Sequence, residues 1–177
     1  KELKKLCVYI QKKHPQIPII LDAKRADIGN TNSGYVSFAF DYLKADAITV
    51  HPYLGKEALK PFLDRKDKGI IVLCRTSNEG AGEHQDLLVK GKKLYIHVAK
   101  EVSKSWNKNK NCLLVVGATY PNEMKKIRSV VGEMTFLVPG IGAQGGDVKK
   151  SVLAGKNSKG RGMIISASRS VLYAKNP

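Results

Sequence analysis

The sequence predicts an α/β fold, a parallel (β/α)8 TIM barrel with only about six of the eight strand-helix units present in its 177 residues. Three observations carry this expectation. Short apolar, β-prone runs alternate with segments of helical spacing along the whole chain, the order that builds a parallel sheet covered by helices. The runs are apolar almost without interruption, as in strands buried on both faces. The first of them ends in "DAKRADIGNT" and not in the GxGxxG turn of a dinucleotide-binding open sheet, which leaves the barrel as the better reading.

The elements follow in order. "KELKKLCVYIQKKH" opens the chain as a helix, with Leu3, Leu6, Cys7 and Ile10 along one stripe. Strand "IPIILDAK" precedes helix "GYVSFAFDYLKA", and strand "ADAITVHPY" precedes helix "GKEALKPFLD". Strand "KGIIVLCRTS" leads into a long connection, Ser77 to Lys93, before helix "LYIHVAKEVSKSW". Connections of this length in compact domains are usually lids or binding loops. Strand "NCLLVVGATY" with helix "PNEMKKIRSVV", strand "MTFLVPGIG" with helix "GDVKKSVLAG", and strand "RGMIISASRS" complete the series. Six strands do not close an eight-stranded barrel. Because the chain opens on a helix at Lys1, the two absent units are expected on the N-terminal side, making residues 1–177 one incomplete barrel domain.

Composition narrows the function. Thirty-one Lys and Arg against 15 Asp and Glu give +16, a charge that brings nucleic acid to mind. The lysines are dispersed over helices and loops, without the interleaved aromatics that stack bases, so a solvated basic exterior is the reading adopted and no nucleic-acid partner is expected. Cys7, Cys74 and Cys112 lie far apart without CxxC spacing, which suggests neither disulfides nor zinc and points to a reducing, cytoplasmic setting. No apolar run approaches the ~20 residues that cross a bilayer, so no membrane association is expected.

Chemistry is expected at strand C-termini, the reactive rim of a barrel. In "IILDAKRADIGNT", Asp22 and Lys24 are two residues apart and share one face of an extended chain, while Asp27 lies beyond them in the loop. Alternating charges of this kind keep one another ionised. A plain surface salt bridge, with Asp27, Asn30 or Thr31 capping the next helix, is the competing reading. "VPGIGAQGGD" brings Gly140, Gly142, Gly145 and Gly146 after a strand and before a helix, a backbone that can approach an anion. Arg169 follows the last strand, placed to grip a phosphate at two points. Counting two absent strands at the front makes these the loops after strands seven and eight, where barrels recurrently bind phosphate. His51 is expected to be a hydrogen-bonded rim residue, and Thr76 and Ser77 offer hydroxyls to a polar ring. No pattern has metal-ligand spacing, and no metal is expected.

"DAKRADIGNT" closely resembles the DxKxxD signature of the orotidine 5'-phosphate decarboxylase family, and "RTSNEGAGEHQDLLVKGKKLY", "LLVVGATYPNEM", "FLVPGIGAQGGD" and "SASRSVLYA" resemble it in the same order. The likeness is strongest to the family's second, DAKR-type branch. It implies decarboxylation of orotidine 5'-phosphate to UMP, the last step of de novo pyrimidine biosynthesis, without a cofactor. It implies Lys24 as the proton donor to C6, Asp22 as its charged neighbour, and a homodimer in which Asp27 and Thr31 reach the partner's site with Ile28 beside them. Ser77 would read the pyrimidine, while Gln144 and Arg169 would bind phosphate, with Gly145 and Ser168 supplying close backbone approach. Glu79 stands where the family pattern has proline, and His51 where this branch often has Asn. The absent strands would carry a further Asp and Lys of the charged set, so residues 1–177 alone would be an incomplete catalyst. A magnesium-dependent sugar-phosphate decarboxylase or aldolase of the same superfamily is the alternative enzyme, and a basic nucleic-acid-binding protein the alternative of another class.

Overall fold

The computed structural model describes residues 1–142 and 144–175, and the chain divides into two compact units. The first comprises Lys1–Val72 and Trp106–Cys112. It opens with helix α1 (Glu2–Lys13), whose Glu2 and Lys12–Lys13 complement the helix dipole at its two ends. Strand β1 (Ile20–Arg25) follows, then helix α2 (Gly29–Val36), which runs on into a π-helical turn over Ser37–Tyr42. The helix begins five residues before the expected "GYVSF", because its first residues, Gly-Asn-Thr-Asn-Ser, are poor helix formers held by side-chain bonds rather than by propensity. Strand β2 (Ala47–Val50) leads to two short helices, α3 (Gly55–Ala58) and α4 (Lys60–Leu63). One helix was expected there. Pro61 has no N–H to donate and crowds the preceding turn, which splits the segment at Leu59. Strand β3 (Gly69–Arg75) pairs in parallel with β2, and β2 with β1. Ala39, Phe40, Leu43, Ile48, Leu59, Phe62, Ile70 and Ile71 form the buried core of this unit.

The second unit takes the end of β3 from Leu73, continues to Ser105, and resumes at Leu113. After a 3-10 turn at Glu79–Ala81, it contains α5 (Gly82–Gln85) and a small antiparallel hairpin of β4 (Leu88–Val89) and β5 (Lys92–Lys93). Helix α6 (Leu94–Glu101) with a π-helical turn at Val102–Trp106, strand β6 (Cys112–Val116), α7 (Pro121–Val131), β7 (Phe136–Val138), α8 (Val148–Gly155), β8 (Met163–Ile165) and α9 (Arg169–Leu172) follow. The core is built from Tyr95, Ala99, Leu114, Val116, Met124, Ile127, Phe136 and Val138. Arg128 closes the end of α7: its guanidinium lies 3.8 Å over the Phe136 ring and donates to the carbonyls of Gly155 at 2.8 Å and Met134 at 2.6 Å.

Among the described residues the strand order is β1-β2-β3-β6-β7-β8, and β1 with β2, β2 with β3, β6 with β7 and β7 with β8 all run parallel. This is a partial (β/α) barrel. The inner strands β2, β6 and β7 are largely buried, whereas the outer strands β1 and β8 are partly exposed, each pairing with one strand among the described residues.

Candidate active site

In the first unit the reactive-looking residues gather where β1 leaves its ladder. The register pairs Leu21 with Ile48 and then Arg25 with Val50, so four residues of β1 span two of β2. The bulge falls on Asp22–Lys24, and Lys24 takes a left-handed backbone, φ 47°. The Lys24 Nζ lies 2.7 Å from Asp22 Oδ1. Thr49 on β2 donates its hydroxyl to the same Oδ1 at 2.8 Å and accepts the Lys24 N–H at 2.9 Å. The two charged side chains are 50% and 59% exposed. An ion pair so open adds little to stability, so its placement at a strained strand end calls for another reason.

Asp27 lies in the following loop. Its carboxylate accepts the Ile28 N–H at 2.7 Å, and its own N–H donates to Asn32 Oδ1 at 2.9 Å. The Asn32 side chain, fully buried, also donates to the carbonyls of Asp27 and Ala58. Asn32 therefore fixes the Asp27 loop. Within the chain Asp22 and Lys24 come together, while Asp27 turns to its own backbone. Ile28 is 67% exposed, and Thr31 is exposed on α2. His51 donates its backbone N–H to Arg25 O, but its ring Nδ1 is buried without a partner among the described residues, contrary to the hydrogen-bonded rim role expected of it.

In the second unit Ser77 follows β3 and sits against two glycines. A methyl group added at Gly117 would lie 2.6 Å from Ser77 Cα, and one at Gly140 would meet Ser77 Cβ at 2.8 Å and Gln144 Oε1 at 3.1 Å. The hydroxyl of Ser77 and the amide of Gln144 thus converge over Gly140. The loop after β7 also reaches the loop after β8, where the same construction at Gly142 meets the Ser170 hydroxyl at 3.8 Å. Ser168 and Arg169, at the start of α9, are exposed beside it. Gly145, φ 82°, donates its N–H to Gly142 O at 2.7 Å, so that amide closes a turn. The α8 N-terminus, expected to favour an anion, is capped by Asp147, whose carboxylate accepts the Lys150 N–H.

This arrangement can be set against known proteins. The sequence model of the "Orotidine 5'-phosphate decarboxylase / HUMPS family" matches residues 1–177. The chain belongs to this family. An orotidine 5'-phosphate decarboxylase of Janthinobacterium sp. (strain Marseille) is 53% identical over 174 residues, covering 98% of this chain, and one of Cellvibrio japonicus is 55% identical over a similar span. The chain spans 64% of the length of these curated relatives. Among solved structures, Leishmania donovani UMP synthase superposes with a TM-score of 0.95 at 43% identity, covering 99% of this chain and 39% of that one. Leishmania donovani OMP decarboxylase gives 0.93 at 42% identity, covering 99% and 68%.

One cluster in this family member was not foreseen from its sequence. Arg75, the last residue of β3 and only 2% exposed, packs its guanidinium 3.9 Å over the Tyr120 ring and forms an ion pair with Asp86 at 3.4 Å. Gln85 Oε1 accepts the Thr76 N–H at 2.9 Å, and its amide donates to the Thr76 hydroxyl at the same distance. Lys93 reaches Asp86 from the far side at 3.5 Å. The long connection is thus tied at its middle to the strand end beside Ser77, and its own end is tied back to that middle. Among the described residues no three His, Cys, Asp or Glu side chains are grouped to hold a metal ion, and no helix is long and apolar enough to cross a membrane.

Proposed function

We propose that the protein decarboxylates orotidine 5'-phosphate to UMP, the last step of de novo pyrimidine biosynthesis, without a cofactor, and that it belongs to the DAKR-type branch of its family. The observation that carries this reading is the ammonium of Lys24, held 2.7 Å from a carboxylate on a bulged strand end. In the reaction the bond from C6 to the carboxylate breaks, carbon dioxide leaves, and the electron pair stays on C6 in the ring plane, where ring resonance cannot spread it. A positive charge already in position stabilises that pair as it develops. Lys24 supplies the charge and then transfers a proton from Nζ to C6. Asp22 holds the ammonium and stands near the departing carboxylate.

The remaining roles follow the family likeness. Ser77 reads the pyrimidine, Gln144 and Arg169 bind the phosphate, and Gly145 and Ser168 shape the backbone beside them. Asp27 and Thr31, with Ile28 between them, serve the partner's site in a homodimer. The convergence of Ser77 and Gln144 over Gly140 supports the first of these assignments, and the exposure of Ile28 supports the last. Three buried free thiols suit a cytoplasmic setting.

Lys24→Ala in the full-length chain tests the reading. Turnover of orotidine 5'-phosphate is expected to fall by about 10³-fold or more. UMP affinity, measured by calorimetry, is expected to stay within about tenfold, since the ammonium acts where charge develops. Substantial decarboxylation by this variant removes Lys24 from the central role. Wild-type activity lost in EDTA would favour a metal-dependent sugar-phosphate enzyme instead.

A further inference from the structure

Thr49 lies within β2, fully buried, in a stretch where a β-branched residue would pass as core packing. A buried hydroxyl is stable when its hydrogen bonds are made, and both of those made by Thr49 go to β1. It donates to Asp22 Oδ1 at 2.8 Å and accepts the Lys24 N–H at 2.9 Å. The register explains why a side chain is needed there. Between the pairs Leu21–Ile48 and Arg25–Val50, Thr49 alone faces the three bulged residues, and the Lys24 amide, turned by φ 47°, is taken up by a hydroxyl instead of a ladder carbonyl. The oxygen of Asp22 that receives this hydroxyl is also the one that receives Lys24 Nζ.

We infer that Thr49 is a positioning residue, whose single hydroxyl holds the left-handed backbone of Lys24 and the rotamer of Asp22 together and so fixes where the ammonium sits. Its consequence for catalysis rests on the decarboxylase reading above; the positioning itself does not. With the hydroxyl absent, the contact between Lys24 Nζ and Asp22 Oδ1 remains, but that oxygen and the bulged amide both lose the bond that ties them to β2. Small displacements of a reacting group lower the rate without weakening ground-state binding.

The test compares Thr49→Val, which keeps the shape and deletes the hydroxyl, with Thr49→Ser, which keeps the hydroxyl, both in the full-length chain. Thr49→Val is expected to lower kcat by about 10- to 100-fold. Its KM for orotidine 5'-phosphate should stay within about threefold, and Thr49→Ser should recover most of the rate. Amide exchange at Lys24 should quicken by about tenfold or more in the valine variant and stay slow in the serine variant. Wild-type kcat in Thr49→Val, equal damage in both variants, or unchanged Lys24 exchange in Thr49→Val would each overturn the inference. Should the wild-type chain bind UMP but decarboxylate nothing, the decarboxylase reading fails on its own, and the exchange measurement still decides whether Thr49 positions Lys24.

Discussion

Ser77 owes its place to two neighbours that lack side chains. Gly140 has a left-handed backbone, φ 93°, that a larger residue would resist, so substitution there mixes strain with crowding. Gly117 separates the two, because its φ lies outside that region and the close approach to the Ser77 backbone is purely steric. Gly117→Ala is therefore expected to push Ser77 aside, destabilising the chain by about 1–3 kcal/mol. If Ser77 gives one hydrogen bond to the pyrimidine as proposed, UMP affinity should weaken by about tenfold. A thermal melt and a UMP titration read the two effects, and an unchanged affinity in a destabilised variant would take Ser77 out of pyrimidine recognition. At this scale the sequence discloses charge more readily than support. Asp22, Lys24 and Arg169 stand out as ionisable groups at strand ends, whereas Thr49, Asn32 and Arg75 have ordinary neighbours in the sequence and acquire meaning only through the atoms they meet.

The six strands of the parallel sheet were legible because apolar runs of three to seven residues need no partner to be recognised. The hairpin of β4 and β5 was not. Its strands are two residues each, too short for any period, and its turn uses Lys90 and Gly91, both with positive φ, where the recognisable signal would be Asn-Gly. Burial within elements also sets the alkaline behaviour of the fold. Burial pushes the Cys112 thiol on β6 from its ordinary 9 up to about 11, and raises Cys74 on β3 as well. Tyr95 on α6 rises from 10 to about 12, through burial and then the negative charges of Glu123 and Asp86. Each group keeps its proton in the folded chain at a pH where the unfolded chain has lost it. Their contribution is therefore complete below about pH 9 and declines as pH rises from there toward 12. The rise at Cys112 corresponds to about 3 kcal/mol. Denaturant melts between pH 8 and 11 should show the unfolding free energy falling above pH 9, with a shallower fall in Cys112→Ala. A flat profile to pH 11 would contradict this.

At the scale of the molecule, the order of strands and helices could be read from periodicity, whereas a homodimer was expected from the family resemblance alone, since an interface leaves no period in a sequence. The proposed dimer has a direct test. Full-length Lys24→Ala and Asp27→Asn are each expected to be nearly inactive, and a mixed dimer would contain one doubly altered site and one intact site. With about half of randomly paired dimers mixed, roughly a quarter of wild-type activity should return on subunit exchange. If Asp27 serves its own chain, mixing restores nothing. The bulge at Lys24 also bears on how such a protein evolves. A domain's whole stability is about 5–15 kcal/mol, and a left-handed lysine costs about 1–2 kcal/mol of it. Glycine at position 24 would relieve that strain while deleting the ammonium paired with Asp22. If Lys24 carries the chemistry proposed for it, a change toward a more relaxed backbone there removes the very group the reaction uses, so stability and activity pull position 24 in opposite directions.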